Sequence, residues 1–238
     1  MSFNIEDYFC NLINTSNLYL LCSPPGFGKH KFFMYISHLY AERHMGHSLV
    51  HSLEMSEQQW KNEMALNGFD MSGLYIDDNA CCSVEDIRKN IKLYSPVIVM
   101  IHYLGLLEDE DSIPKLKQLA KDYSIPIIVS LNLGRNCGDR DPMYRRPQLF
   151  DLIYTNYYSK KTIDELREDI YGSEIIFLHR NHDCDRSIGS AYRYNFSSTA
   201  ELIINNNTEI FSGPQSIFFN YDYIFNDDNP QCTGDKIT

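Results

Sequence analysis

Residues 23–30 read SPPGFGKH, and no other stretch restricts the fold of this chain as tightly. Gly28 and Lys29 end the pattern G-x-x-x-x-G-K-[ST], a loop whose backbone amides cradle phosphate oxygens at a helix N-terminus. Such a loop has to join a buried strand to a helix, and both neighbours fit. LYLLC (18–22) is a short unbroken apolar run, and KHKFFMYISHLYAERHM (29–45) spaces Phe32, Phe33, Ile36, Leu39 and Tyr40 as one helical face. Two positions depart from the pattern. Ser23 stands at the first glycine, and His30 stands where a Ser or Thr hydroxyl would hold Mg²⁺.

Beyond the loop, apolar runs of strand length alternate with amphipathic segments to about residue 180. That order predicts an α/β fold with a mostly parallel central β-sheet and helices on both faces. SLVHSLEM (48–55), LYIDD (74–78), PVIVMIHYLGLL (96–107), IPIIVSLNL (125–133) and DLIYTNYY (151–158) read as strands. The most apolar of them, 96–107, belongs at the centre of the sheet. Ser56 caps a helix through EQQWKNEMAL, and Ser83 with Asp86 forms a capping box for the helix 83–94. A helix over 112–123 carries Pro114 in its first turn, and a helix over 162–172 ends on glycine. EIIFLHRN and SAYRYNF predict a C-terminal β-hairpin around HDCDRSIG. Residues 1–196 thus read as one domain. Residues 197–238, rich in Asn, Asp and aromatics, read as an extension of edge strands and a loose tail.

Composition narrows the function. The net charge of −11 gives no general attraction to nucleic-acid phosphates, so weak or no DNA binding is expected of the chain alone. Seven cysteines without a C-x-x-C pair fit neither a disulfide framework nor a zinc ribbon. The N-terminus lacks a basic region followed by an apolar core, and no apolar run reaches the ~20 residues of a membrane span. A cytoplasmic protein with no membrane contact is expected.

HSLEMSEQQW (51–60) follows the phosphate loop, and further segments continue in a particular order. These are LYIDDNACCSVEDIRKNIK, VIVMIHYLGLL, LKQLAKDYSIPIIVSLN, RRPQLFDL (145–152) and FLHRNHDCDRSIG (177–189). The set resembles the motor domain of replicative DNA helicases of the DnaB type over roughly residues 15–196. The resemblance implies a RecA-like P-loop NTPase fold, a place in DNA replication, and ATP or ADP as ligand. It implies that Pro25, Gly26, Phe27, Gly28, Lys29 and His30 wrap the phosphates, with Lys29 reaching the β- and γ-phosphates. It further implies that Glu54 polarises the attacking water, that Asn132 senses the γ-phosphate, and that Arg180 is an arginine finger extended into a neighbour's site. Without those roles, Glu54 and Arg180 are ordinary strand-end and hairpin residues.

The departures fall on the chemistry. His102 follows the apolar run where the family carries the aspartate that holds Mg²⁺, so both metal positions, His30 and His102, are imidazoles. Leu178 replaces a lysine two residues before the finger. Mg²⁺ takes oxygen ligands, and without it phosphoryl transfer loses its main charge neutraliser. The expectation is weak or lost nucleotide binding, doubtful Mg²⁺ and impaired hydrolysis. Two other uses of the imidazoles stay open, a softer ion such as Zn²⁺ or direct neutralisation of phosphate by protonated rings. In the loop after the central strand, EDEDS (108–112) would repel DNA; in GRNCGDRDPMYRRP, Arg135, Arg140, Arg145 and Arg146 give the best local basic surface. Only about 15 residues precede the motor-like region, so the family's N-terminal helical domain and linker helix are absent from this reading and a stable hexameric ring is not expected. Partners are expected among replicative helicases or other replication proteins. The alternatives are an active ATP-dependent DNA helicase with an unusual metal site, or a protein-interaction domain that kept only the fold.

Overall fold

The computed structural model describes residues 5–23, 28–109, 111–132, 173–185, 193–206 and 215–220. Its strands are β1 (Leu18–Ser23), β2 (Ser48–Ser52), β3 (Leu74–Asp77), β4 (Ile98–His102), β5 (Ile127–Asn132), β6 (Glu174–Asp185), β7 (Arg193–Asn206) and β8 (Gln215–Asn220). They form one sheet in the order β3-β2-β4-β5-β1-β6-β7-β8. Every pairing from β3 to β6 is parallel, and β6-β7-β8 is antiparallel. The apolar strand β4 lies inside the sheet between β2 and β5, as its composition requires.

Helices cover both faces. Alternate residues of the strands divide between two cores, as the two-residue period of a strand dictates. Tyr19, Leu21, Val50, Met100 and Ile128 face α1 (Ile5–Leu12), α2 (Lys29–Glu42) and α3 (Glu57–Leu66). Leu18, Leu20, Leu49, Val99, Ile101 and Val129 face α4 (Val84–Tyr94) and α5 (Ser112–Tyr123). Each fully buried Leu or Ile side chain in these layers stabilises by roughly 1.5–3 kcal/mol. The sequence reading did not include α1. Its apolar residues Ile5, Tyr8, Phe9 and Leu12 make a regular helical stripe buried against the α2 side, and the Tyr8 hydroxyl donates to the half-buried Glu174 carboxylate of β6.

The caps explain where the helices start. Ser56 Oγ accepts the Gln59 amide, and the Gln59 side chain returns to the Ser56 amide. Ser83 and Asp86 make the same reciprocal pair at α4. Between β2 and α3 the chain bends: Ser52 Oγ donates to the Met55 carbonyl at 2.6 Å, which ends the strand at Ser52 instead of Met55 and places Glu54 in the turn. Before β2, Gly46 has φ +124°, and a Cβ there would meet the Val97 side chain at 2.6 Å.

The hairpin of β6 and β7 is paired from Glu174↔Asn206 to Asp185↔Arg193, with a register shift between Arg180 and His182. β7 runs on past residue 196, and β8 pairs beside it at Thr199↔Asn220. The expected strand 151–158, the expected helix 162–172, the arginine-bearing loop, the end of the tail and the loop residues Pro25, Gly26 and Phe27 lie outside the described residues. No helix among the described residues is long and apolar enough to cross a membrane.

Candidate nucleotide site

The parallel strands β2, β4, β5 and β1 end together, and Lys29, His30, Glu54, His102 and Asn132 stand at that end. In register, Ser23 of β1 stands opposite Asn132 of β5, and Ser52 of β2 opposite His102 of β4. In parallel α/β sheets ligands bind beyond the carboxyl ends of the strands, and α2 starts at this end with Gly28 and Lys29. Gly28, its N-cap, is left-handed at φ 89°, a conformation that admits glycine without cost.

Lys29 is the first residue of α2 and is buried. Its ammonium donates to both the carbonyl and the hydroxyl of Ser23, each at 3.0 Å. Ser23, at the departed first glycine, thus supplies a hydrogen-bond acceptor to the lysine. Burial lowers the Lys29 ammonium to about 8, opposed by Cys22 and Glu54, which favour its charged form. Burial also pushes the Cys22 thiol up to about 12, so it is an inert neighbour at neutral pH.

His102 closes β4 and is 6% exposed. Its ring packs edgewise against His30 (centroids 6.1 Å apart), Trp60 (5.9 Å) and Phe33 (6.3 Å). The two histidines of the altered metal positions are therefore brought together. Burial, then the proximity of His30 and of Lys29, lowers His102 to about 4, so it is a neutral imidazole at pH 7. That removes it as a protonated counter-ion for phosphate at neutral pH. Its Nδ1 lies 3.6 Å from Glu54 Oε2, beyond hydrogen-bond reach, and has no hydrogen-bond partner among the described residues. The next residue, Tyr103, has φ 88°, strain of order 1–3 kcal/mol for a non-glycine, and its backbone N–H donates to Ser130 Oγ at 2.9 Å.

His30 is engaged elsewhere. Its Nε2 lies 3.2 Å from Glu63 Oε1 on α3, a carboxylate also approached by Lys31 at 3.9 Å. The His30 hydrogen bond is the leading cause holding the Glu63 carboxyl below its usual range. Sequence reasoning missed Glu63. Its spacing from Trp60 and Met64 puts it beside the buried face of α3, but only the docking of that helix shows what it meets.

Arg180 lies on β6 opposite Ala200, beyond the last residue of β6 paired with β1, Phe177, and so past the same end of the sheet. Leu178 is buried in the core, consistent with an apolar residue in place of a lysine. In the acidic segment, Asp109 accepts the Val84 amide at 2.7 Å and pairs with Lys115 at 2.5 Å, which gives that carboxylate a local capping task. Among the described residues no group of three or more His, Cys, Asp or Glu side chains is placed to hold a metal ion.

No family model matches the chain. It is 26% identical over 180 residues to the replicative DNA helicase DnaB of Geobacillus stearothermophilus, a match covering 58% of this chain and 39% of the helicase. A solved ATPase domain superposes with a TM-score of 0.61 at 19% identity, covering 86% of this chain and 81% of the other. Over those 180 residues the chain is similar in sequence to a DnaB-type helicase, and it shares the fold of this solved ATPase domain. A solved DnaB-like replicative helicase, described with its interactions with primase, superposes equally well, with a TM-score of 0.61 at 18% identity over 87% of this chain and 56% of that one. This chain spans about two-fifths of the curated DnaB helicase, and it shares the fold of the two solved structures.

Proposed function

We propose that this chain is a DnaB-like P-loop domain of a DNA replication machinery that binds adenine nucleotide weakly and hydrolyses ATP poorly or not at all. The juxtaposition of His30 and His102, 6.1 Å between ring centroids, supports this reading best. The resemblance puts both protein oxygens that serve Mg²⁺ at these two positions. Mg²⁺ demands hard oxygen donors in near-octahedral geometry, and a buried neutral imidazole beside another imidazole does not supply them. The residues present do not fit that ion. The phosphate-binding half of the site is better kept: Gly28 turns the chain into α2, and Lys29 stands at its start. On this reading Glu54 would polarise water, Asn132, close to the sensor position, would sense the γ-phosphate and Arg180 would serve as a finger, each acting only on phosphate that is first bound and neutralised.

The role is then one of binding or regulation beside a working replicative helicase or other replication proteins. One structural relative is described with its interactions with primase, and partners of that kind are the first to try. The acidic net charge speaks against DNA as the main ligand of the isolated chain. Thermal denaturation with millimolar ADP or ATP tests the nucleotide. Stabilisation by a few degrees, abolished in Lys29→Ala, is expected. No stabilisation at any nucleotide concentration would leave a protein-interaction domain as the better reading.

A further inference from the structure

Three contacts at the phosphate end point the same way. Glu63 on α3 engages His30 Nε2 at 3.2 Å, so the residue at the loop's hydroxyl position is tied to a neighbouring helix. The His102 ring fills the space between Phe33, Trp60 and His30, and Trp60 is itself fully buried. His102 Nδ1 and Trp60 Nε1 are both buried without a hydrogen-bond partner among the described residues. Buried polar atoms are nearly always paired, and orphans that meet in one cluster are what ligand oxygens would satisfy. A hydrated Mg²⁺ needs six ligands at about 2.0–2.1 Å and keeps several of its waters. Aromatic rings hold that place here, and Glu54 is the carboxylate beside His102, 3.6 Å away.

We infer that the site takes the phosphate chain of a nucleotide without a divalent cation, and that Glu63 is the positioning residue that holds His30 for it. This rests on the nucleotide-binding reading above and specifies the form of the ligand. Metal-free phosphates carry more negative charge than their magnesium complexes, and the N-terminus of α2 with the buried Lys29 offers the charge to meet it. A dication brought beside that ammonium would be repelled without the aspartate that normally shields it. As its Nδ1–H tautomer the His102 ring can donate to a phosphate oxygen, and neither ring competes for a hard ion. Glu63, by accepting from Nε2, fixes which way the His30 ring stands.

Isothermal titration of the full chain with ADP, once in EDTA and once with Mg²⁺ in excess over nucleotide, decides the matter without any variant. Equal or weaker affinity in Mg²⁺ is the expected result. Tighter binding with Mg²⁺ would overturn the inference and leave the nucleotide-binding reading standing, whereas absence of ADP binding under both conditions would overturn both. In EDTA, Glu63→Ala is expected to weaken ADP binding several-fold, and Glu63→Gln, which keeps the acceptor oxygen, to restore it. Equal loss in both variants, or no loss in either, removes Glu63 from the site.

Discussion

Two buried histidines stand on neighbouring strands, and the protein treats them differently. His51 of β2 pairs in register with Ile101, one residue before His102 on β4, and points to the opposite face of the sheet. On its side, Asp77 Oδ2 lies 3.4 Å from His51 Nδ1, and Cys82 Sγ approaches the same nitrogen at 3.6 Å. His51 is the leading cause holding the Asp77 carboxyl below its usual range, and the Asn90 amide and Asn79 backbone add to it. His102 has aromatic rings around it, an unpaired Nδ1, and a strained residue next in the chain. A buried imidazole joined to a carboxylate welds β2 to β3. Each ring leaves one buried nitrogen without a hydrogen-bond partner among the described residues, Nε2 in His51 and Nδ1 in His102, so what separates them is the carboxylate: His51 is joined to Asp77, and His102 has none within hydrogen-bond reach.

This contrast can be broken by mutation. His51→Ala leaves Asp77 to Asn90 and Asn79 and empties a fully buried position, which is expected to cost about 2–3 kcal/mol in urea unfolding. A loss below about 1 kcal/mol would show that the pair does not hold the edge of the sheet. Acid should sharpen the difference from the other side. The unfolded chain takes up a proton at His102 near its ordinary value of 6.5, and the folded chain only near 4. Falling pH therefore favours unfolding through that window, by at most about 3 kcal/mol, and the loss is fully relieved above the unfolded value. Replacing the ring by His102→Phe should remove that part of the pH slope, seen in urea melts between pH 4 and 7. At neutral pH the same variant keeps the aromatic packing and removes the orphan nitrogen, so stability should change by less than about 1 kcal/mol, in the direction of a gain. Destabilisation of His102→Phe as large as that of His51→Ala would mean that both histidines are structural.

How much of this was legible in the sequence follows from the range of each interaction. The strand before the loop and the helix after it are local patterns, and so are the caps at Ser56 and Ser83; all four appear where the spacing put them. The juxtaposition of His30 and His102 was legible only through the resemblance, because 72 positions of sequence separate them and register alone brings their rings together. Glu63 and the His51–Asp77 pair were not legible, since each depends on how a helix or an edge strand docks. The stripe of Ile5, Tyr8, Phe9 and Leu12 was there to be seen, and a helical-period count of the first residues would have found α1.

We propose that the chain keeps the phosphate-binding half of a helicase-type site and carries two imidazoles, His30 and His102, in place of its magnesium half. ATP turnover by the purified chain in Mg²⁺ tests it most directly, with Lys29→Ala and Glu54→Gln as controls. No turnover above that of the two variants is predicted. Mg²⁺-dependent hydrolysis that disappears in both would contradict the account, because it would mean that the metal is held and used in spite of His30 and His102.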